Sequence, residues 1–515
     1  FRRRFREAIR KEFRSMLERK VWRNIKRRDI PQGRRCVKCK WVFEIKRDGR
    51  FKARLVACGY SQIPGIDFHN SYAPTISDVS LRALLTILLL KKYKAKIVDV
   101  ETAFLLGNLD EDIYMEAPEA PDEHELGDDE CVKLEKSMYG LVQSARQYYI
   151  KISKALRKLG FKGGYADPCL MMKKNEKGIC YIAIWVDDSL LVGDEELIDD
   201  VIKGLEDQGF KLKKEDNLND YLSCQIKLDT EKGIGWIHQP NLIKKLELHF
   251  GEIVGDLRTK YKTPGTPGKV IVREGITKVS VKEQSVYRTG VGMLLFLIKH
   301  SRPDIANPVR ELTKILDGAS YSAYKEMKRV IKFVLDTKLL GLKLEPRLNE
   351  NGNWWIVAYS DSDYAKDPST RKSVTGFIVY FCGVPVSWMS KSQKSVTLSS
   401  SEAEYVALSE TAKEIRFLYQ LLKENEIEVE LPIVVKVDNI GAIFMAENIS
   451  VSPKTKHVDI RYRFVNDMVG EKFLEVIFVG TIDNDADLFT KNVKGDLYEK
   501  HSSKIVFSYD LSEEI

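Results

Sequence analysis

The chain has 515 residues, 43% of them hydrophobic and 31% charged, which fits a globular protein with sizeable cores, in three or four domains at about 150 residues each. No apolar run reaches the roughly 18 residues needed to cross a bilayer; the best candidate, Val79 to Leu90, is interrupted by Arg82 and reads as a packed helix. The net charge of +8 is uneven: residues 1–54 hold 22 Lys/Arg against 6 Asp/Glu, a local +16, and the remainder is −8. A basic head on a slightly acidic body points to a polyanion partner. Eight cysteines are scattered and only Cys36 and Cys39 form a CxxC, which argues against zinc and for reduced intracellular thiols. The chain opens on Phe1 with no initiator Met and no signal peptide, so its N-terminus is expected to have been cut from something longer.

In chain order, residues 1–20 read as a charged helix. Residues 22–56 are strand-like, with a turn at "RDGR" between "KWVFEIK" and "FKARLVACGY". "SDVSLRALLTILLLKKY" has helical periodicity after a Ser/Asp cap signal. A strand at 95–100 carries Asp99 and is followed by an acidic, turn-rich loop, "PEAPDEHELGDDE". "ARQYYIKISKALRKLG" reads as an amphipathic helix, and "CLMMKKNEKGICYIAIWVDDSLLVG" as strand, turn, strand, aspartate turn, strand. A Pro/Gly-containing linker spans 259–280, and a helical stretch runs from about 283 to 337. From Trp354 a new α/β unit follows: three strands, a long helix over 400–424, the strand "IVVKVD", two helices, the strand "LEVIFVG" and a last helix after "DNDADL".

An apolar strand that ends in two adjacent aspartates, Asp187 and Asp188, and then resumes apolar is unusual, because an isolated carboxylate is costly to desolvate. Divalent cations remove that cost, and Mg²⁺ takes hard oxygen ligands from carboxylates and substrate phosphates. On a regular strand neighbouring side chains alternate. A hairpin turn at this point lets both aspartates approach Asp99. The C-terminal unit carries a second acidic set: Asp361 in its first strand, Glu404 in the long helix, Asp438 at a strand end and Asp487 before the last helix. Helical steps from Glu404 reach Ala407, Leu408, Thr411, Ile415, Leu418 and Leu422, a core-facing stripe. From Glu402 they reach Tyr405, Val406, Ser409, Glu410 and Lys413, a wetter face, so Glu402 is expected to be a solvated charge. In "YSDSDYA", Asp363 lies two residues beyond Asp361 and shares its side of the strand, which leaves it as the second choice.

The flanking strings carry a resemblance. "CKWVFEIKRDGRFKARLVACGYSQIPGIDFHNSYAPTISDVSLRALL", "VDVETAFLLGNLDEDIYMEAPE", "KLEKSMYGLVQSARQYY" and "YIAIWVDDSLLVG" together resemble, in order, the reverse transcriptase of copia-type retrotransposons. "YSDSDYAKDPSTRKSVTGF", "KSVTLSSSEAEYVALSE", "KVDNIGAI" and "DADLFTK" resemble the ribonuclease H that follows it, so the similarity runs from about Trp22 to Asn492. The resemblance implies an α+β architecture: a right-hand-like polymerase with fingers, an antiparallel palm sheet and a thumb, followed by an α/β ribonuclease H-like domain. The expected division is a basic arm over 1–21, the polymerase over 22–258, a linker and helical connection over 259–345, the ribonuclease H-like domain over 346–495 and a tail over 496–515.

Carried over position by position, Asp99, Asp187 and Asp188 match the palm metal ligands, and Asp361, Glu404, Asp438 and Asp487 the ribonuclease H ligands. Phe104 matches the ring beneath the incoming sugar. Lys52 and Arg54 match the fingers strand facing the triphosphate, and Tyr139 and Gly140 an element near the nascent base pair. His457 matches a recurrent family histidine read here as structural or substrate-side, and its usual later partner is Arg463. Other departures are Trp185 for Tyr, Ala145 for Pro, Tyr148 for Trp and Cys224 for Gly; none removes a metal ligand. The implied activity is RNA-directed DNA synthesis with hybrid-specific RNA cleavage, using two Mg²⁺ ions per active site with Mn²⁺ as a substitute. The implied partners are an RNA template, a DNA primer, the RNA–DNA hybrid and deoxynucleoside triphosphates, with no membrane; self-association and other polyprotein segments stay open. The implied location is intracellular, in a cytoplasmic virus-like particle or the nucleus. The alternative is an inactive or co-opted remnant that binds nucleic acid without catalysis.

Overall fold

The computed structural model describes all residues except 1, 46–48, 120–125, 216–217, 219–220, 256, 274–278, 449–455 and 509–515, and all described side chains except those of 2 and 456–462. The "RDGR" turn, the acidic loop and the 259–280 linker thus fall partly outside the described residues, and the His457 side chain wholly so. Two compact units are present: residues 1–76, 96–164 and 168–216, and residues 77–95, 165–167 and 217–515.

In the first unit the basic head is the helix Arg2–Glu18. It is amphipathic: Phe13 and Met16, spaced i, i+3, are buried in a core with Val21, Leu55, Val132 and Met138. Phe5 packs edge-on against Phe43 and Phe51, with ring centroids 5.0 and 4.8 Å apart. Those two rings sit on an antiparallel hairpin, Cys39–Ile45 with Phe51–Ala57, in which Lys52 pairs with Glu44 and Arg54 with Val42. A second sheet has the order Trp22–Lys26, Glu130–Lys136, Asn108–Glu116, Cys36–Val37.

The main sheet of this unit has six strands, in the order Leu212–Glu215, Lys94–Val100, Asp188–Gly193, Gly178–Trp185, Leu170–Asn175, Lys162–Gly163. Its central hairpin pairs antiparallel, Trp185 opposite Asp188 and Cys180 opposite Gly193. Residues 180–184 and 189–193 are all buried, whichever face they point to, so these strands read as continuous apolar runs without alternation. The helix Glu195–Asp207 covers the sheet with Leu197, Ile198, Val201, Ile202 and Leu205.

The second unit holds the helix Asp78–Lys91, whose N-cap Ser77 accepts from the backbone of Ser80. Arg82 is buried within it; its guanidinium donates to the Val386 and Lys299 carbonyls and lies 3.9 Å from the Trp388 ring centroid. A four-stranded sheet follows, in the order Gln225–Asp229, Ile234–His238, Leu340–Leu344, Val506–Ser508, beside the helices Pro240–Gly255, Val281–His300, Ala306–Thr313 and Tyr321–Asp336. The helix Gly495–Ser502 and the strand Val506–Ser508 lie in the segment read from sequence as a tail.

The last sheet has the order Val384–Ser392, Val374–Phe381, Ile356–Asp363, Ile433–Val437, Leu474–Phe478. Its first three strands are antiparallel, and the last two join parallel to them. In order of sequence this is 3-2-1-4-5, with the long helix Ser400–Glu424 crossing between the third and fourth strands and packing on the first two. The architecture is α+β, a palm-like sheet followed by a ribonuclease H-like α/β fold. Among the described residues no helix is long and apolar enough to cross a membrane.

Candidate active sites

One turn of this sheet places Asp187 beside the strand that carries Asp99, although the carboxylate oxygens of Asp99, Asp187 and Asp188 do not converge within 4.8 Å as a set of three. Register between Trp185 and Asp188 leaves Val186 and Asp187 as a two-residue loop. Val186 has φ +51°, in the left-handed region, which is strained for a β-branched residue and costs on the order of 1–3 kcal/mol. The turn exposes Asp187 and leaves Asp188 half-buried. Its backbone is tied to the neighbouring strand, since Val100 N–H donates to the Asp187 carbonyl at 3.0 Å. Asp99, one residue before Val100, is half-buried, and its carboxyl is raised above the usual range, by burial first and then by Asp187. Lys213, its register partner, and Lys52 oppose the shift.

Tyr148 feels the charge of all three. It is 1% exposed on the helix Ser144–Lys158, and its hydroxyl is buried with no hydrogen-bond partner. Burial pushes that phenol up, and Asp187, Asp99 and Asp188 push it further. Sequence reading registered Tyr148 only as a departure from a family pattern; a lone Tyr on a helix carries no mark of the carboxylates it will meet.

The residues expected at the nucleotide form a neighbouring group. Arg54 lies 5.6 Å over the Tyr139 ring and 3.7 Å from Glu44. The rings of Phe104 and Tyr139 meet nearly perpendicular at 5.5 Å. Gly140 has φ +88°, and a side chain there would run into the Ala57 carbonyl and Val56, so glycine is what lets this segment dock on the strand Phe51–Ala57. The docking is made by Ala57 N–H donating to the Tyr139 carbonyl at 2.8 Å. Glu12, which sequence reading passed over as one charge on a wet helix, joins this group. One of its carboxylate oxygens is buried without a hydrogen-bond partner, and Lys52 and Arg54 are the leading charges acting on it.

The second site sits at the ends of the two central strands of the last sheet. Asp361, 1% exposed, is on Ile356–Asp363, and Asp438 directly follows the adjacent parallel strand Ile433–Val437. Asp487 begins the short helix Asp487–Thr490. Carboxylate oxygens of Asp361, Asp438 and Asp487 all lie within 4.8 Å of one another. The helix can come this close because Gly376 stands opposite Asp361 in the sheet; a Cβ there would be 2.6 Å from Thr490 Cγ2. Thr490 then donates its hydroxyl to Asp361.

Glu404, on the long helix, feels the charges of Asp361 and Asp438 but lies outside the group whose oxygens converge within 4.8 Å. It is 6% exposed, and Oε2 is buried with no hydrogen-bond partner. Burial raises its carboxyl to about 10, with Asp361 and Asp438 adding to the shift. Asp487 rises to about 7 by burial and by Asp361, with Lys491 opposing. Glu402 lies apart: half-exposed, it accepts from Leu398 N–H at 2.7 Å at the start of the helix. Asp363 pairs with Lys366 at 2.8 Å. The closely spaced hard oxygens of Asp361, Asp438 and Asp487 fit divalent cations in donor type and charge.

Residues 19–253 match the family model described as reverse transcriptase (RNA-dependent DNA polymerase). That matched segment is just under half of the chain. The chain is related in particular to the Pol polyproteins of copia-type transposons. It is 32% identical over 488 residues to the retrovirus-related Pol polyprotein from transposon TNT 1-94 of Nicotiana tabacum, covering 92% of this chain and 36% of that protein. With the corresponding polyprotein from transposon RE1 of Arabidopsis thaliana it shares 32% over 475 residues, covering 91% and 31%. The chain therefore spans about a third of the length of these relatives. Among solved structures, a foamy viral protease-reverse transcriptase in complex with RNA/DNA hybrid aligns with a TM-score of 0.47 at 11% identity, over 91% of this chain and 52% of that one.

Proposed function

We propose that this chain copies RNA into DNA and degrades the RNA strand of the resulting hybrid, as the polymerase and ribonuclease H portion of a copia-type Pol polyprotein. The observation that carries this is the presence of two separate acidic sets, Asp99 with Asp187 and Asp188 on strands and a turn of the first unit and Asp361, Asp438 and Asp487, with Glu404 on the long helix, in the second.

In the polymerase, Asp99, Asp187 and Asp188 would hold the metal, Mg²⁺ with Mn²⁺ as a substitute. Lys52 and Arg54 bind the triphosphate of the incoming nucleotide. Phe104 and Tyr139, ring against ring, wall the sugar and base, and Gly140 keeps that wall on the fingers hairpin. In the ribonuclease, the four carboxylates form the cleavage site, and Thr490 orients Asp361 through its hydroxyl. Bound at these sites, divalent ions would supply charge neutralisation at the phosphoryl oxygens and activation of the attacking oxygen. A hybrid is read by backbone geometry and 2′-OH contacts, so cleavage should have low sequence preference.

The partners proposed are RNA template, DNA primer, RNA–DNA hybrid and deoxynucleoside triphosphates, with a virus-like particle or the nucleus as the place of action. The test is extension of a DNA primer on an RNA template beside cleavage of a labelled hybrid. Hybrid binding without either reaction would identify a non-catalytic remnant instead.

A further inference from the structure

We propose that Lys491 is a built-in counter-ion of the ribonuclease H-type cluster, its ammonium bridging Asp361 and Asp487 until divalent cations displace it; this rests on the metal-site reading above. Nζ lies 2.8 Å from Asp487 Oδ1 and 3.5 Å from Asp361 Oδ2. These two residues belong to the three whose ligand oxygens converge within 4.8 Å. The ammonium therefore uses carboxylate oxygens that a metal ion would need.

The sequence builds this contact locally. Lys491 follows Asp487 by four positions, and its backbone N–H donates to the Asp487 carbonyl at 3.0 Å, so its main chain is fixed beside the cluster. Only side-chain torsions need change for the ammonium to leave, and a flexible four-carbon stem makes that easy. The side chain is 31% exposed, which gives it a route to water. One short helix and the residue that follows it thus supply a carboxylate, the Thr490 hydroxyl and the Lys491 ammonium to the same few ångströms.

The charge balance explains why such a lysine holds without closing the site. The one ammonium contacts Asp361 and Asp487 only, Asp438 completes the converging group of three, and Glu404 Oε2 remains buried without a hydrogen-bond partner. Lysine is a point charge with three donors, enough to hold the metal-free cluster together but not to neutralise it. A divalent ion bound to the same oxygens would lie close to Nζ and repel it. Metal binding at this site is then an exchange of one cation for another.

The full-length chain carrying Asp187→Asn, which removes the palm contribution, is titrated with Mn²⁺ and the free ion is followed by electron paramagnetic resonance. Adding Lys491→Met should tighten binding by about tenfold, since a competing charge at hydrogen-bond distance is gone. Adding Lys491→Arg should leave binding within about twofold, because a cation remains. In the unaltered protein, acylation of Lys491 by an amine-reactive ester, read by mass spectrometry, should speed up when Mn²⁺ is added. Mn²⁺ binding that Asp487→Asn weakens but Lys491→Met leaves equal or weaker would overturn the counter-ion role alone. Mn²⁺ binding indifferent to Asp487→Asn would overturn the metal reading with it. Labelling of Lys491 that is unchanged or slowed by Mn²⁺ would contradict displacement whether or not the variants fold.

Discussion

The backbone N–H of Val100 donates to the carbonyl of Asp187 at 3.0 Å, so the strand that carries Asp99 is latched to the turn that carries Asp187. The latch sets the spacing of two carboxylates that repel one another, and Val186 holds the left-handed conformation the turn requires. Repulsion and strain both oppose folding. Their concentration at one turn is what a site loaded with cations would need.

The second site depends on a glycine. In Gly376→Ala the added methyl would meet Thr490 Cγ2 at 2.6 Å and Phe489 Cβ at 2.9 Å, and push the helix bearing Asp487 away from Asp361. Overpacking of this kind costs about 1–3 kcal/mol. Chemical denaturation should show that loss, and hybrid cleavage should fall at least about tenfold, the equivalent of 1.4 kcal/mol in the barrier. Full stability with full cleavage would mean the helix packs less tightly than described.

Phe104 and Tyr139 wall one side of the proposed nucleotide site. Phe104→Ala should raise incorporation of ribonucleotides relative to deoxyribonucleotides in single-nucleotide addition, by about tenfold if one steric contact of 1.4 kcal/mol is removed. Unchanged discrimination would make the ring part of the core only.

The basic N-terminal helix has two faces, and they predict two different outcomes. Phe13→Ala should destabilise the first unit by about 3–5 kcal/mol, because the ring is buried with Met16 and Leu55. Replacing the exposed Arg3, Arg4 and Arg6 by Gln should leave stability within about 0.5 kcal/mol. It should also flatten the dependence of template affinity on salt, because fewer counterions are released. Equal salt slopes would show that these arginines do not touch the polyanion.

The carboxylates of the proposed ribonuclease H site also predict a pH dependence. Asp487 is raised to about 7, from about 3.9 for a free Asp, so the folded state binds its proton more tightly than the unfolded state does. Its stabilising contribution is complete below the unfolded value and is lost as pH rises through the folded one. Without divalent ions, the thermal midpoint should fall between about pH 4 and pH 7, and Asp487→Asn should reduce that slope. Added Mg²⁺ should reverse the trend at the upper end by favouring the ionised form. A slope identical in Asp487→Asn would remove this residue from the account.

Local signals in the sequence carried much of the fold. The Ser77 cap located the helix Asp78–Lys91, and the "WVDDS" string located the hairpin. The structure gives 6% exposure for Glu404 and a half-exposed capping contact for Glu402, but Tyr405, Val406 and Ser409, on the face read as wetter, are buried as well, so the apolar stripe does not by itself separate the two glutamates. What periodicity did not reach was pairing at a distance. The strand Leu340–Leu344 is sandwiched between Ile234–His238 and Val506–Ser508, and no local pattern links segments so far apart. Glu12, Tyr148 and Lys491 escaped for the same reason. Each is an ordinary residue on a helix or just beyond one, and only tertiary convergence sets it among the charges that give it a role.

The central claim is that one chain carries two independent reactions, and two substitutions on the same preparations test it most directly. Asp187→Asn should reduce primer extension on an RNA template by about 10³-fold or more, several kcal/mol of lost transition-state stabilisation, and leave hybrid cleavage intact. Glu404→Gln should do the opposite, abolishing cleavage and sparing synthesis, while Glu402→Gln alters neither. Loss of both activities in either single variant, or near wild-type extension by Asp187→Asn, would contradict the assignment of the two acidic sets to separate chemistry.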